Sequence, residues 1–247
     1  KLAENDIFSG IPGSPTEHHS APFTMTEEFV TVYRMHTLMP DHFTIVSART
    51  GDALANAELP ELLGHRGVDF LARFEPSDLF YSFGIYNPGA VRLHNFPKSL
   101  QNLVQDNGER FDLGTIDILR DRERGVPRYN RFRELLHKAP VRSFDELTDV
   151  PEWAAQLKEV YNNDLALVDT MVGMMAEPLP EGMGFSDTAF RIFLVMASRR
   201  LKSDRFLSQD YRPEIYTKQG IEWVEGNSMK SVISRHFPSV AFAMKGI

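Results

Sequence analysis

Cysteine is absent from this sequence of 247 residues. The chain therefore contains no disulfide, no cysteine-ligated zinc, no iron–sulfur cluster, no thiolate-ligated haem and no cysteine nucleophile. Any metal ion that it binds must use histidine, aspartate, glutamate or backbone oxygen ligands. The sequence also lacks a run of about 18 apolar residues, so no helix is predicted to span a membrane.

Positive charge is in deficit, with 27 basic against 34 acidic residues and a net charge of −7. This balance argues against a protein that binds nucleic acid through bulk charge. The sequence contains no P-loop, dinucleotide-binding glycine motif, HExxH motif or GxSxG elbow. The eight histidines are therefore the main candidates for chemistry. His18 and His19 are interpreted as a solvated pair.

The pattern predicts a mostly α-helical chain that forms one domain over residues 1–247. Residues 1–24 are predicted to be a surface loop, and residues 25–40 a helix that Thr24 or Thr26 caps. A strand is expected from Phe43 to Ser47 and a short helix within residues 51–64. The other predicted helices are Glu109–Arg124, ended by Gly125, Pro127–Leu136, Ser143–Leu147, Pro151–Tyr161, Asn163–Met175, a helix capped by Ser186 and ending near Leu201, and Glu222–His236.

His36 differs from the other histidines because it lies within the first predicted helix, three residues after Tyr33. This spacing places both side chains on the same helix face. A neutral imidazole on a rigid helix is suited to bind haem iron, and a phenol one turn away could lie at the edge of the porphyrin. From these residues alone, a core histidine beside a core tyrosine is the simpler interpretation.

Three ordered blocks add a resemblance to the animal-type haem peroxidase superfamily, in particular to its cyclooxygenase and fatty-acid α-dioxygenase branch. Residues Glu28–Asp41 resemble the proximal haem helix, with Tyr33-x-x-His36 followed by Leu-x-Pro-Asp. Residues Phe111–Asn130 look like the Arg-x-Arg-x-x-Gly-x-Pro-x-Tyr-Asn signature. Residues Met171–Pro178 and Arg199–Phe206 are similar to the Gly-x-x-Ala-Glu-Pro and Arg-x-x-Asp-Arg-Phe elements.

The resemblance implies a role for each matching residue. His36 would be the proximal ligand of the haem iron, and Tyr33 the residue that becomes a tyrosyl radical. Asp117 would lie in the second shell and fix one tautomer of His36, and Arg120 would bind a haem propionate. The alternatives are an aspartate on a helix surface and an ordinary surface ion pair, which contributes little.

The resemblance also implies that an arginine near the end of the chain binds the fatty-acid carboxylate, as a guanidinium fork suits a carboxylate. Arg199, Arg200 and Arg205 are the candidates, and the alternative is structural pairing with Asp204 or Asp210. Aromatic and methionine-rich segments could line an acyl channel, although such residues more often form a core.

The sequence departs from the family in length, because only 32 residues precede Tyr33. The chain is thus expected to be the carboxy-terminal half of a haem-peroxidase-like helical domain. The distal histidine and the calcium site of the family are expected only in an upstream half that this sequence lacks. The expected cofactor is haem b.

The expected function is haem-dependent dioxygenation of a fatty acid, with O2 and H2O2 as further partners and a fatty-acid hydroperoxide as the product. One alternative is a haem peroxidase that oxidises small donors with H2O2, and another is an inactive, haem-free fragment. The expected location is cytoplasmic or peripheral to a membrane. The oligomeric state, the substrate chain length and the position of oxygenation stay open.

Overall fold

The computed structural model describes residues 11–18, 25–104 and 107–244. Most of the predicted leading loop over residues 1–24, with His19 and Thr24, lies outside these residues, and His18 is exposed. The chain divides into two compact units, each made of two stretches of sequence. The first unit comprises Lys1–Met39 and Gly89–Tyr211, and the second comprises Pro40–Pro88 and Arg212–Ile247. The single domain over residues 1–247 stays a prediction.

The predicted mainly helical fold is confirmed. The α-helices are α1 (Glu27–Val32), α2 (Gly64–Leu71), α3 (Pro76–Ile85), α4 (Lys98–Gln101), α5 (Leu113–Glu123), α6 (Tyr129–Leu135), α7 (Phe144–Leu147), α8 (Pro151–Val160), α9 (Thr170–Ala176), α10 (Asp187–Lys202), α11 (Pro213–Tyr216), α12 (Lys218–Glu225) and α13 (Met229–His236). The strands are β1 (His42–Val46), β2 (Ala53–Glu58), β3 (Leu103–Val104) and β4 (Arg110–Phe111).

The core of the first unit forms where α6 packs against α9. The ring of Tyr129 is fully buried there, and a Cβ atom on Gly173 would lie 2.2 Å from it. Only a glycine permits this close approach between the two helices. Further apolar side chains extend the same cluster, namely Val141, Phe144, Leu147, Ala154, Leu157, Tyr161, Val168 and Ala176.

The second unit contains an antiparallel hairpin of β1 and β2 that packs with α2 and α3. Ile45 and Ala57 point into its core, together with Phe70. The strand predicted at Phe43–Ser47 is thus present, one residue earlier. The short helix predicted within residues 51–64 is wrong over its first part, because β2 occupies Ala53–Glu58 and pairs with β1. Pairing with a neighbouring strand outweighs the helix propensity of an alanine-rich segment.

Three predicted helices are interrupted. The helix predicted over residues 25–40 ends at Val32 and is followed by a 3-10 turn, Met35–Leu38. The segment Asn163–Met175 contains a short 3-10 turn and then α9, and Glu222–His236 is divided between α12 and α13 around Gly226. By contrast, Gly125 adopts a φ of +75° after α5, as its role as a helix stop requires.

No helix within the described ranges is long and apolar enough to cross a membrane.

Candidate functional site

The Tyr33–His36 segment lies at a break between two helical pieces. Thr26 caps α1 through its side chain, and Tyr33 is the C-capping residue that directly follows the helix. The backbone then turns at Arg34, and His36 lies in the 3-10 turn. The prediction that Tyr33 and His36 share one continuous helix is therefore wrong. Their spacing along the chain is kept, but the turn between them changes the direction of the chain.

Gly89 packs against the 3-10 turn Met35–Leu38, which contains His36. Its N–H donates to the carbonyl oxygen of Leu38 at 3.0 Å. A Cβ atom at Gly89 would lie 2.2 Å from the carbonyl oxygen of Thr37, so a side chain does not fit without a shift of the backbone. The sequence analysis identified residues 87–89 only as a turn. The structure shows that Gly89 itself packs directly on the segment that carries His36.

Asp117 lies on α5 and faces His36. Its side chain is 2% exposed. Its Oδ2 atom lies 3.6 Å from Nδ1 of His36, slightly beyond hydrogen-bond distance. Both atoms are buried and have no hydrogen-bond partner among the described residues. They are complementary, because one neutral tautomer of imidazole carries a proton on Nδ1 and a carboxylate oxygen accepts one. The structure thus places Asp117 beside His36, and its role stays a prediction.

Arg34 contacts the other oxygen of Asp117. Its Nε atom lies 3.0 Å from Oδ1, and its side chain is 25% exposed. No role was predicted for Arg34 from the sequence. An arginine between Tyr33 and His36 gives no signal of its own, because its partner is distant in sequence.

A second buried carboxylate, Asp121, lies one helical turn after Asp117 on α5. Its Oδ1 accepts a hydrogen bond of 2.7 Å from the Thr31 hydroxyl, whereas Oδ2 is buried without a partner among the described residues. Burial raises the pKa of Asp121 to about 6, and the Thr31 hydrogen bond and the charge of Arg34 act against this rise. Arg34 is therefore close to two buried carboxylates.

The phenol of Tyr33 lies at the surface of the first unit, with the residue 47% exposed. Its ring stacks on Phe29 with 4.4 Å between ring centroids and on Phe193 of α10 with 5.9 Å. The ring is thus fixed on its faces, while its hydroxyl has no hydrogen-bond partner among the described residues. This arrangement leaves an accessible, oxidisable O–H group three residues before His36.

A cavity of about 240 Å³ lies next to this turn, with Thr37, Phe96, Ile118, Met171 and Met175 in its lining. Phe96 also contacts the His36 ring, with 5.6 Å between centroids. The methionine side chains of α9 are largely buried in the core of the first unit. The core interpretation of these methionines is therefore supported, and two of them additionally border the cavity.

Arg120 is engaged by another group. Its guanidinium donates two hydrogen bonds, of 3.0 and 3.1 Å, to the carboxylate of Glu27 at the start of α1. This geometry corresponds to the alternative given above, an ion pair between neighbouring helices. The structure does not bring Arg120 into the cluster around Asp117, and its role towards a propionate stays a prediction.

The three candidate arginines near the end of the chain differ in their surroundings. Arg200 lies 3.5 Å from Asp204, and Arg205 lies 2.9 Å from Asp210. Arg199 is exposed and has no ion-pair partner among the described residues. Arg199 and Arg200 lie on α10, about two turns beyond the ring that stacks on Tyr33.

Two further charged clusters hold the first unit together. Arg122 and Arg128 both bind the buried carboxylate of Asp169, which also accepts a hydrogen bond from Tyr161. Both arginines lie in a segment that resembles a family signature, but their partner Asp169 was not predicted from the sequence. Burial raises the pKa of Tyr161 to about 12, so its phenol stays protonated at neutral pH.

The second cluster surrounds Glu177, at the end of α9. Tyr129, Arg133 and Thr188 all donate hydrogen bonds to its carboxylate. The motif that contains Glu177 was matched to the family as Gly-x-x-Ala-Glu-Pro. Its structural contribution is to link α6, α9 and α10 through one buried acid.

The residues at His36 fit a haem better than a bare metal ion. Among residues 11–18, 25–104 and 107–244, no group of three or more His, Asp or Glu side chains is arranged to hold a metal. A porphyrin supplies the equatorial ligands itself and requires only an axial group from the protein. Asp117 faces Nδ1 of His36, and a carboxylate is a usual partner for the ring nitrogen of a metal-binding imidazole that does not bind the metal. The ring has no hydrogen-bond partner among the described residues, and its Nδ1 is buried.

Comparisons with known proteins give the same assignment. The sequence matches the family model described as animal haem peroxidase over residues 7–245. It is 41% identical to alpha-dioxygenase PIOX of Pisum sativum over 251 residues, which is 96% of this chain and 39% of the pea protein. It is 37% identical to alpha-dioxygenase 1 of Arabidopsis thaliana, over 96% of this chain and 40% of that protein.

Solved structures agree with these sequence matches. The crystal structure of Oryza sativa fatty acid alpha-dioxygenase superposes with a TM-score of 0.86 at 35% identity, and the match covers 93% of this chain and 40% of the rice chain. This chain therefore spans about two fifths of the length of the relatives that it matches. The fold class predicted from the resemblance is confirmed. The chain belongs to the animal haem peroxidase family.

Proposed function

We propose that this chain forms part of a haem-dependent fatty-acid dioxygenase, in which His36 binds the iron of haem b and Tyr33 carries the radical. The observation that supports this most strongly is the Tyr33–His36 turn with Asp117 facing Nδ1 of His36. The relatives support the same reaction, since those compared above are named alpha-dioxygenases.

His36 would bind the iron through Nε2, because Nδ1 faces Asp117. A carboxylate beside Nδ1 makes an imidazole a stronger donor and fixes its tautomer. Bound haem would supply the one-electron oxidising chemistry that none of these side chains provides.

Tyr33 would act on the substrate directly. Loss of one electron and one proton converts its phenol to a phenoxyl radical. Hydrogen peroxide is the oxidant and is reduced to two water molecules, so one peroxide molecule accounts for two such phenol oxidations. The radical takes a hydrogen atom from the fatty acid, which restores the O–H bond and leaves a carbon radical. Dioxygen adds to that carbon, and the resulting peroxyl group takes the hydrogen atom back from Tyr33. The product is a fatty-acid hydroperoxide, and the phenoxyl radical is formed again.

The proposed substrate is a fatty acid, oxygenated at the carbon next to its carboxyl group. The names of the relatives support this position, and a tyrosine-to-phenylalanine variant of the rice enzyme is described with palmitic acid. Among the candidate arginines, we favour Arg199 as the carboxylate ligand, because the residue is exposed and has no ion-pair partner among the described residues. Arg200 and Arg205 already have acidic neighbours.

The test is the substitution Tyr33→Phe in the haem-loaded protein that contains this chain. Phenylalanine preserves the stack on Phe29 and Phe193 but removes the O–H bond. We expect loss of fatty-acid oxygenation with an unchanged haem spectrum. Tyr86→Phe is the matched control, because Tyr86 also has a phenol outside the core and lies in the second unit.

Three outcomes would contradict the proposal. If Tyr33→Phe oxygenates fatty acids at the parental rate, Tyr33 is not the radical site. If the parent protein oxidises small donors with hydrogen peroxide but gives no fatty-acid product, it is a peroxidase. If the parent protein gives no haem spectrum when haem is added, the assignment of His36 also fails.

A further inference from the structure

Arg34 occupies the backbone break between Tyr33 and His36. Its φ of −74° and ψ of 65° lie outside the helical region, and this conformation ends α1 before the 3-10 turn begins. The side chain is directed to α5, where its Nε atom lies 3.0 Å from Oδ1 of Asp117. Arg34, which lies between the proposed radical tyrosine and the proposed ligand, therefore contacts the acid beside that ligand.

The two oxygen atoms of Asp117 have different partners. Oδ1 contacts the guanidinium of Arg34, whereas Oδ2 lies 3.6 Å from Nδ1 of His36 and has no hydrogen-bond partner among the described residues. A contact at one oxygen restricts rotation of the whole carboxylate, because both oxygens are in one plane. The contact with Arg34 thus determines where Oδ2 points.

Arg34 also supplies positive charge beside two buried carboxylates. Asp117 and Asp121 are both buried, at 2% and 5% exposure, and lie one turn apart on α5. Isolated carboxylates in such an environment are strongly unfavourable unless a cation balances them. Arg34 is an ion-pair partner of Asp117 and also acts electrostatically on Asp121.

We propose that Arg34 is a positioning residue that holds the Asp117 carboxylate with Oδ2 directed at Nδ1 of His36. The inference rests on the proposed binding of haem by His36. Arg34 acts through Asp117 and does not itself touch the reacting atoms. Its effect on the iron is to maintain the acceptor that makes His36 a strong donor.

The test measures the Fe(III)/Fe(II) midpoint potential and the iron–histidine stretching frequency in the haem-loaded protein. A weaker donor stabilises the oxidised iron less, so an acceptor that is neutral or turned away from Nδ1 raises the potential. We expect Arg34→Gln to raise it in the same direction as Asp117→Asn. The expected size is about a tenfold change in the ratio of reduced to oxidised iron, which equals about 59 mV for a one-electron couple.

The double variant Arg34→Gln/Asp117→Asn distinguishes positioning of the carboxylate from a general effect of the Arg34 charge on the potential. If Arg34 acts through Asp117, Arg34→Gln adds almost nothing once Asp117 is replaced by asparagine. Arg131→Gln is the charge control, since Arg131 pairs with Glu134 on the surface of α6 and should leave the potential unchanged. Arg34→Lys retains the charge but not the guanidinium, and we expect a partial shift. If Arg34→Gln does not fold, the comparison is made with Arg34→Lys instead.

The inference is overturned if the Arg34 variants leave the potential unchanged, lower it, or add fully to Asp117→Asn. A lowered potential would mean that Arg34 withdraws charge from Asp117 instead of orienting it. His36→Ala distinguishes this failure from that of the proposed function. If His36→Ala retains the histidine–haem spectrum of the parent, His36 is not the ligand. If His36→Ala loses that spectrum while the Arg34 variants leave the potential unchanged, only the inference about Arg34 fails.

Discussion

Replacing Asp121 with asparagine should change how the stability of this chain depends on pH. Burial raises the pKa of Asp121 from 3.8 to about 6 in the folded state. One pKa unit corresponds to about 1.4 kcal/mol, so the ionised carboxylate costs the folded state about 3 kcal/mol at neutral pH. The folded chain binds the proton more tightly than the unfolded chain. The stabilising contribution of the protonated acid is therefore fully present below a pH of about 3.8 and is lost as the pH rises through about 6.

The asparagine side chain in Asp121→Asn would keep the acceptor for the Thr31 hydroxyl and cannot ionise. It would also place an amide where Oδ2 of the aspartate has no hydrogen-bond partner among the described residues, at a cost of about 1–3 kcal/mol that does not vary with pH. The informative quantity is thus the difference in unfolding free energy between Asp121→Asn and the parent. We expect this difference to move in favour of the variant by about 2 kcal/mol between about pH 4 and pH 7.5, because the unfolded carboxyl group is still partly protonated at pH 4.

The assay is urea unfolding of the parent and the variant across this range of pH. Asp69→Asn is the control, because it makes the same chemical change at a carboxylate that is exposed on α2. A difference for Asp121→Asn that stays constant within about 0.5 kcal/mol would refute the reasoning from burial. A difference that moves in the opposite direction would mean that Arg34 and Thr31 outweigh the burial of the carboxylate.

Two further substitutions test the packing around the site by urea unfolding. Gly89→Ala should lower the unfolding free energy by about 1–3 kcal/mol, because its Cβ would collide with the carbonyl group of Thr37. Gly84→Ala has open space and should not be destabilised, so equal stability of the two variants would contradict the close approach. Tyr129→Phe should lower stability by about 1–3 kcal/mol, since it removes the hydrogen bond to buried Glu177. A loss below about 0.5 kcal/mol would show that the remaining donors satisfy Glu177 without Tyr129.

Local signals in the sequence predicted many element boundaries correctly. Ser186 caps α10, Pro151 begins α8 and Gly125 ends the region of α5. These residues act on the backbone of their own segment, so no distant contact is needed to recognise them. The mainly helical fold class followed from the same local patterns.

The errors arose where contacts distant in sequence decide the conformation. The segment Ala53–Glu58 contains residues that favour helices, yet it forms β2 because β1 pairs with it. The helix break at Arg34 is not visible in the periodicity of the apolar residues, because its partner Asp117 lies 83 positions further along the chain. Asp121, which approaches α1 through Thr31, has the same kind of distant partner.

The site was only partly accessible from the sequence. The resemblance identified Tyr33, His36 and Asp117, and the structure brings His36 and Asp117 together. The resemblance gave no indication that Arg34 has a role, because a charged residue beside a motif is ordinarily exposed to solvent. For Arg120 the sequence allowed an ion pair, and the structure shows that pair with Glu27.

The most direct test of the proposed function is product analysis with isotopically labelled dioxygen. The haem-loaded protein that contains this chain is incubated with a single saturated fatty acid, and the products are identified by mass spectrometry. We predict a hydroperoxide at the carbon next to the carboxyl group, with both peroxide oxygens from the labelled gas. The account is contradicted if the fatty acid is recovered unchanged while the same preparation still oxidises a small phenolic donor with hydrogen peroxide.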